Sequence, residues 1–173
     1  HKVAALIGES EPAPVIECAG RTFEVAMHWR PRNKRDRLEP AVVQAVQWVL
    51  ETEDDGDVLV FLPGMAEIRR TQEQLRGLDP RVEVHPLHGS LPLDEQDRAV
   101  APAAAGMRKV VLSTDIAESS LTVEGVTAVV DSGLARAPRF DPGNGLTRLT
   151  TVSVSRASAD QRAGRAGRTR PGM

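Results

Sequence analysis

The residues of this chain best suited to chemistry gather in one late stretch, Gln161-Arg162-Ala163-Gly164-Arg165-Ala166-Gly167-Arg168. Gln161, Arg165 and Arg168 stand four and three residues apart, so a helix carries them on one face. A planar guanidinium grips phosphate oxygens in pairs, and two of them in a row suit a polyphosphate. Gly164 and Gly167 are interleaved with the row. Each glycine costs a helix interior about 1 kcal/mol relative to alanine. Close approach of another body to this face is the reason to keep them. Without a ligand, the same residues read as a solvated arginine face.

Three further segments offer groups that can hold an anion. Ser113-Thr114-Asp115-Ile116-Ala117-Glu118-Ser119-Ser120-Leu121-Thr122 follows a short apolar run and is rich in hydroxyls. Hydroxyls and open backbone amides at a strand end can hold phosphate oxygens without reading sequence. Ser and Thr also cap helices, so Ser113 or Thr114 alone reads as a cap. Val60-Phe61-Leu62-Pro63-Gly64 leads from an apolar run into a helical pattern. There a helix N-terminus offers free amides and the positive end of a dipole, although the physics alone describes an ordinary strand–helix turn. Leu87-His88-Gly89-Ser90-Leu91-Pro92 places Ser90 and the Gly89 amide beside a histidine. His88 reads as a hydrogen-bonded structural residue. Neither it nor His85 has a partner spaced to hold a metal, so no metal site is expected.

These segments need a scaffold, and the pattern between them supplies one. Asp57–Leu62, Val82–Leu87, Lys109–Ser113 and Val126–Asp131 are short apolar runs of the kind that form buried strands. Thr22–Trp29 alternates and also predicts a strand. Leu38–Thr52, Met65–Leu75 and Leu93–Val100 have helical periodicity. Ala135–Phe140 and Leu146–Val154 predict a hairpin around Pro142-Gly143-Asn144-Gly145. The last helix is expected to start near Ser155 or Ser158, and Ser158 with Gln161 fits a capping box. Strands alternating with helices imply an α/β fold with a parallel sheet covered on both faces. Ligands then sit beyond the carboxyl ends of the strands, where the motifs are expected to share one edge.

Size and composition narrow the class. The 173 residues suffice for one full core. No apolar stretch is long enough to span a membrane, and the start lacks a signal-peptide pattern, as in a cytoplasmic protein. Cys18 is the single cysteine, which rules out an intramolecular disulfide and a cysteine-based zinc site. It reads as a small core residue. Net charge is −2, so no global basic footprint marks a nucleic-acid binder. Charge is uneven instead. Glu51 to Asp57 is acidic and Arg156 to Arg170 basic, with a second basic cluster at Arg30, Arg32, Lys34, Arg35 and Arg37. Local patches would have to bind phosphates.

Taken as strings, these segments carry a family resemblance. QRAGRAGR resembles motif VI of the DEAH-box branch of superfamily-two helicases. The Ser113–Thr122 string followed by VEGVTAVVDSG resembles motif V, Val60–Gly64 motif IV, and Leu87–Pro92 the neighbouring nucleic-acid-contacting turn. The likeness runs from about Pro14 to Met173 and is to the second RecA-like lobe. Ala137–Pro142 with Gly145–Leu149 resembles the bacterial HrpB-type branch.

The resemblance implies a RecA-like (P-loop NTPase-type) parallel sheet flanked by helices, with a β-hairpin near the C-terminal end. It makes residues 1–20 the tail of a preceding RecA-like domain, or a linker, and 21–173 the helicase C-terminal domain. ATP and Mg2+ would bind between the two lobes. Arg165 and Arg168 would act as arginine fingers on the γ-phosphate, with Gln161 orienting the attacking water. Asp115 and Gly125 would serve the nucleotide site, and Asp131 would approach the ribose. Gly64, Gly89, Ser90, Ser113, Thr114 and Thr122 would contact nucleic-acid backbone.

The implied whole is a monomeric ATP-dependent 3′-to-5′ helicase acting on single-stranded RNA, or on DNA. The chain holds no GxxxxGK[ST] phosphate loop and no DEAH string. The resemblance places both in the first lobe, so this chain alone is not expected to hydrolyse ATP. Val100 stands where many members carry the aromatic that stacks on adenine, which implies weak discrimination among nucleoside triphosphates. Two other readings differ in class: a non-catalytic nucleic-acid-binding module on the same fold, and an unrelated parallel-sheet nucleotide binder that needs no second lobe.

Overall fold

The continuous apolar runs form the centre of the molecule. In the computed structural model, Asp57–Phe61 (β1), Val82–Leu87 (β2), Arg108–Ser113 (β3) and Val126–Asp131 (β4) pair in parallel in the order β2-β3-β1-β4. Residues 2–8, 11–16, 23–33, 35–119, 121–143 and 145–173 are described; Cys18 lies outside them.

The sheet buries both faces, which is why its strands do not alternate. Leu38–Thr52 (α2) and Met65–Gln74 (α3) cover Val58, Val60, Val110 and Leu112. Leu93–Val100 (α4) and Ile116–Ser119 (α5) cover Leu59, Phe61, Leu87 and Val111 on the other face. Every residue of β1 is buried, and each such apolar side chain contributes roughly 1.5–3 kcal/mol. Arg156–Ala163 (α6) joins the second face, with the Arg162 guanidinium 4.7 Å from the Phe61 ring centroid. Leu134–Asp141 (β5) and Leu146–Ser153 (β6) form the expected antiparallel hairpin, a mostly exposed ribbon with Arg139 directly opposite Arg148.

Two expectations are corrected. Of the strand expected over Thr22–Trp29, residues 23–29 form no strand of their own, and Thr22 lies outside the described residues. Their one ladder contact is a parallel bridge from Val25 to Gly172. Gly172 and Met173 lie between this segment and β4: Ala26 N donates to the Gly172 carbonyl, and Val129 N to the Met173 carbonyl, both at 2.8 Å. The alternation in the sequence was genuine, but its bonding partner is the far end of the chain. Lys2–Ile7 (α1) is a short helix within the stretch read as a linker or the tail of a preceding domain. The α6 cap is Ser155, whose hydroxyl accepts from Ser158 N at 3.1 Å. The Ser158 hydroxyl is engaged elsewhere, so no Ser158–Gln161 capping box forms.

The amino edge of the sheet is closed by its own charges. Asp57 is buried, and its Oδ1 accepts from Lys109 N at 2.7 Å. Burial pushes the Asp57 carboxyl above its ordinary range and the Lys109 ammonium below its own. Lys109 Nζ donates to the Ala99 carbonyl at 3.0 Å and to the Ala101 carbonyl, closing the end of α4. Gly125 has φ +79°, and a Cβ there would stand 2.8 Å from Asp57 Oδ2. Arg170 and Asp55 form a two-pronged pair at 2.9 and 2.6 Å.

Candidate nucleotide and nucleic-acid site at the carboxyl edge

The arginine row is shaped by how α6 ends. After Ala163 the winding tightens: Arg165 N bonds the Arg162 carbonyl and Ala166 N the Ala163 carbonyl, each at 3.0 Å. Three residues per turn place residue 165 over 162 rather than over 161. The expected single face is therefore split. Gln161 and Arg168 are exposed, whereas Arg165 turns inward and is 7% exposed. Gly167 is required by the chain itself, since a Cβ there would stand 2.6 Å from the Phe23 carbonyl oxygen. The close approach read from the glycines is, at this position, that of backbone 23–25.

Arg165 grips the turn after β3. Its Nε donates to the Glu118 carbonyl at 3.0 Å and its Nη1 to the Leu121 carbonyl at 3.1 Å, while Nη2 also reaches the Glu118 carbonyl. Arg168 Nη1 donates to the Thr122 hydroxyl at 2.9 Å. Among the described residues neither arginine forms an ion pair. Burial first, and then the neighbouring Arg168 cation, push Arg165 below its usual value. Two adjacent guanidiniums held only by neutral oxygens make a local site for an anion.

Arg162, which the sequence reading passed over, is buried beside them at 1% exposure. Its Nε donates to Glu118 Oε2 at 3.0 Å and its Nη1 to Asp131 Oδ1 at 2.9 Å. Nothing local signals this role, because both carboxylates are remote in sequence. Asp131, expected near the ribose, is engaged by Arg162 and also accepts from Gly133 N at 2.8 Å.

The other expected residues divide by location. Gly64, Ser90 and Thr114 follow β1, β2 and β3, and Asp131 ends β4, so they share the carboxyl edge. Gly89 and Ser90 are exposed, and Ser90 Oγ lies 2.8 Å from His88 Nδ1. Asp115 is exposed at the start of α5. Ser113 is fully buried at the end of β3 and gives its hydroxyl to the Thr114 carbonyl, and Thr114 is buried too. Gly64 is buried beneath Arg136, whose Nε lies 3.0 Å from the Cβ position. Gly125 lies at the amino edge, bonding Asp57 N, and is remote from this cluster.

Residues 41–170 match the family described as the helicase conserved C-terminal domain. The ATP-dependent RNA helicase HrpB of Escherichia coli (strain K12) is 50% identical over 162 residues, which is 93% of this chain and 20% of that protein. The probable ATP-dependent RNA helicase DHX34 of Mus musculus is 41% identical over 174 residues, 93% of this chain and 15% of that protein. The crystal structure of the E. coli DExH-box NTPase HrpB matches with a TM-score of 0.86 at 50% identity, covering 92% of this chain and 20% of that one. The chain thus spans a fifth or less of the length of these relatives. Among the described residues no helix is long and apolar enough to cross a membrane. The HrpB-type resemblance and the RecA-like sheet with its hairpin hold, and the chain belongs to the helicase conserved C-terminal domain family.

Proposed function

We propose that this chain is the second motor lobe of a monomeric ATP-dependent 3′-to-5′ helicase acting on single-stranded RNA. ATP would bind between it and a preceding RecA-like lobe. The observation that carries the reading is the pair Arg165 and Arg168, adjacent cations with no carboxylate partner among the described residues. Three of the five N–H donors of Arg165 are used by carbonyls, and two remain for an incoming phosphate. Arg168 is open to solvent. Arginine fingers stabilise charge on a transferring phosphoryl group and are worth roughly 10³–10⁵ in rate. Exposed Gln161 is the group available to orient water.

In this reading the preceding lobe would hold the Mg2+ bound with ATP between the lobes, and the ion would supply neutralisation of phosphate charge. Hydrolysis requires the lobes to close, so closure gates turnover. Thr122 already bonds Arg168, which links a proposed nucleic-acid contact to a proposed finger. Ser90, Gly89 and Thr122 are the exposed backbone-contacting candidates. Residues 1–20 are the tail of the preceding lobe or the linker to it, and the exposed Val3, Leu6 and Ile7 of α1 suit packing against that lobe. Val100 packs against the Leu59–Phe61 core and supplies no ring to a base. ATP, GTP, CTP and UTP should therefore support similar turnover, and a strong preference for ATP would remove that inference.

The test is RNA-stimulated ATPase activity of the full-length protein beside the 173-residue chain. Hydrolysis by the full-length protein alone, stimulated by RNA, supports a lobe that completes a site in cis. No hydrolysis by either replaces this reading with the non-catalytic binding module.

A further inference from the structure

α6 carries a second row beside the one read from the sequence. Ser158, Arg162 and Arg165 stand four and three residues apart, and all three grip one residue, Glu118 of α5. Ser158 Oγ and Arg162 Nε donate to its carboxylate at 2.6 and 3.0 Å. Arg165 Nε donates to its carbonyl at 3.0 Å. Arg162 also reaches Asp131 at the end of β4, and Nη1 lies 3.4 Å from the Leu134 carbonyl at the base of the hairpin.

Burying a cation among carboxylates is a poor way to gain stability. The cost of desolvation offsets the attraction, and apolar replacement is often neutral or better. What such a cluster supplies is position. Arg165 has no carboxylate of its own, and its place is set by carbonyls of the α5 turn. The side chain that ties this turn to α6 is Glu118.

We propose that Arg162 is a positioning residue for turnover: by clamping Glu118 and Asp131 together over Phe61, it fixes the turn whose carbonyls aim Arg165. This rests on the reading of Arg165 as a finger. The tether is mechanical and non-local, joining the ends of β1 and β4, the α5 turn and α6 through one guanidinium.

The test uses the full-length protein with ATP and single-stranded RNA. Arg165→Ala is measured first. If wild type hydrolyses ATP and this variant does not, the finger reading stands independently. Glu118→Gln is then expected to lower kcat about 10- to 100-fold, the scale of a small misplacement of a reacting group. Its KM for ATP should move by less than about threefold, as for a group that acts on the transition state alone. Ser158→Ala, at a half-buried position, should lower kcat by a smaller factor. Ser158→Thr, which keeps the hydroxyl, should restore it. Wild-type kcat in folded Glu118→Gln and Ser158→Ala overturns the proposal while leaving the finger reading intact. So do losses that track melting temperature and vanish on cooling. Wild-type kcat in Arg165→Ala removes the finger reading and this proposal together.

Discussion

At the amino edge of the sheet, charged groups are held by backbone and by one ion pair. Asp57 is bonded by Lys109 N, Lys109 Nζ by carbonyls at the end of α4, and Arg170 by Asp55. At the carboxyl edge Arg162 is matched by Glu118 and Asp131. Arg165 and Arg168, one turn further on, find only neutral oxygens. The amino edge also holds Arg108, whose Nε and Nη1 donate to the carbonyls of Gly56, Leu50 and Glu53, so what sets the carboxyl edge apart is two such guanidiniums side by side, one of them open to solvent. A parallel sheet directs helix N-termini and loops to its carboxyl edge, which is where ligands of such folds bind.

The largest expected effect tests the open edge. Arg165→Ala and Arg168→Ala, each in the full-length protein, should lower RNA-stimulated kcat by about 10³-fold or more, with far less change in KM for ATP. Loss of nucleotide binding without a rate defect would move the fingers elsewhere.

The next probes the closed edge. Gly125→Ala puts a Cβ against Asp57 at positive φ, and strain of this kind costs about 1–3 kcal/mol. Urea melts of the chain should show that loss; an unchanged midpoint would mean the edge is less tightly closed than its geometry.

A smaller effect follows from pH. Burial raises the folded-state pKa of Asp57 above 3.8, so the folded chain binds this proton more tightly than the unfolded one. Its contribution is therefore most favourable below 3.8 and is lost as pH rises from there through the folded value. Asp57→Asn keeps the acceptor for Lys109 N and should flatten that decline in melts from about pH 4 to about pH 7. An identical profile in both proteins would separate Asp57 from the pH response.

The smallest sharpens the contrast at the open side. Arg139 and Arg148 face each other across the ribbon, and like charges in that register cost about 0.2–1 kcal/mol. Arg139→Glu should slow hydrogen exchange of the hairpin amides, and faster exchange would count against the repulsion.

Much of this scaffold was legible because its signals are local. β1, β2 and β4 have the bounds their apolar runs imply, to within a residue, and α2 matches its periodicity from Leu38 to Thr52. The motif strings likewise marked the right edge for Gly89, Ser90, Thr114 and the arginines. What could not be read was which arginine turns in. Arg162, Arg165 and Arg168 look alike in sequence, and their fates depend on a tightened turn and on partners tens of residues away. Ser113 illustrates a related ambiguity. A hydroxyl suits a ligand and equally the last buried position of a strand, where it finds a backbone carbonyl. Gly125 sits within a recognisable string, but the chain has crossed from one edge of the sheet to the other by the time it reaches it.

The pairing of Gly172 and Met173 between β4 and residues 24–26 bears on how the lobe is made. During synthesis the extended stretch around Val25 emerges early, and the residues that bond it emerge only after the sheet, the hairpin and the arginine helix. Contacts of such long sequence separation slow folding. Until they form, the outer edge of β4 offers unpaired backbone groups to any passing strand. Completion of this lobe on the ribosome therefore waits for the residues that follow its last arginine, and a nascent chain stalled before them would carry an adhesive sheet edge.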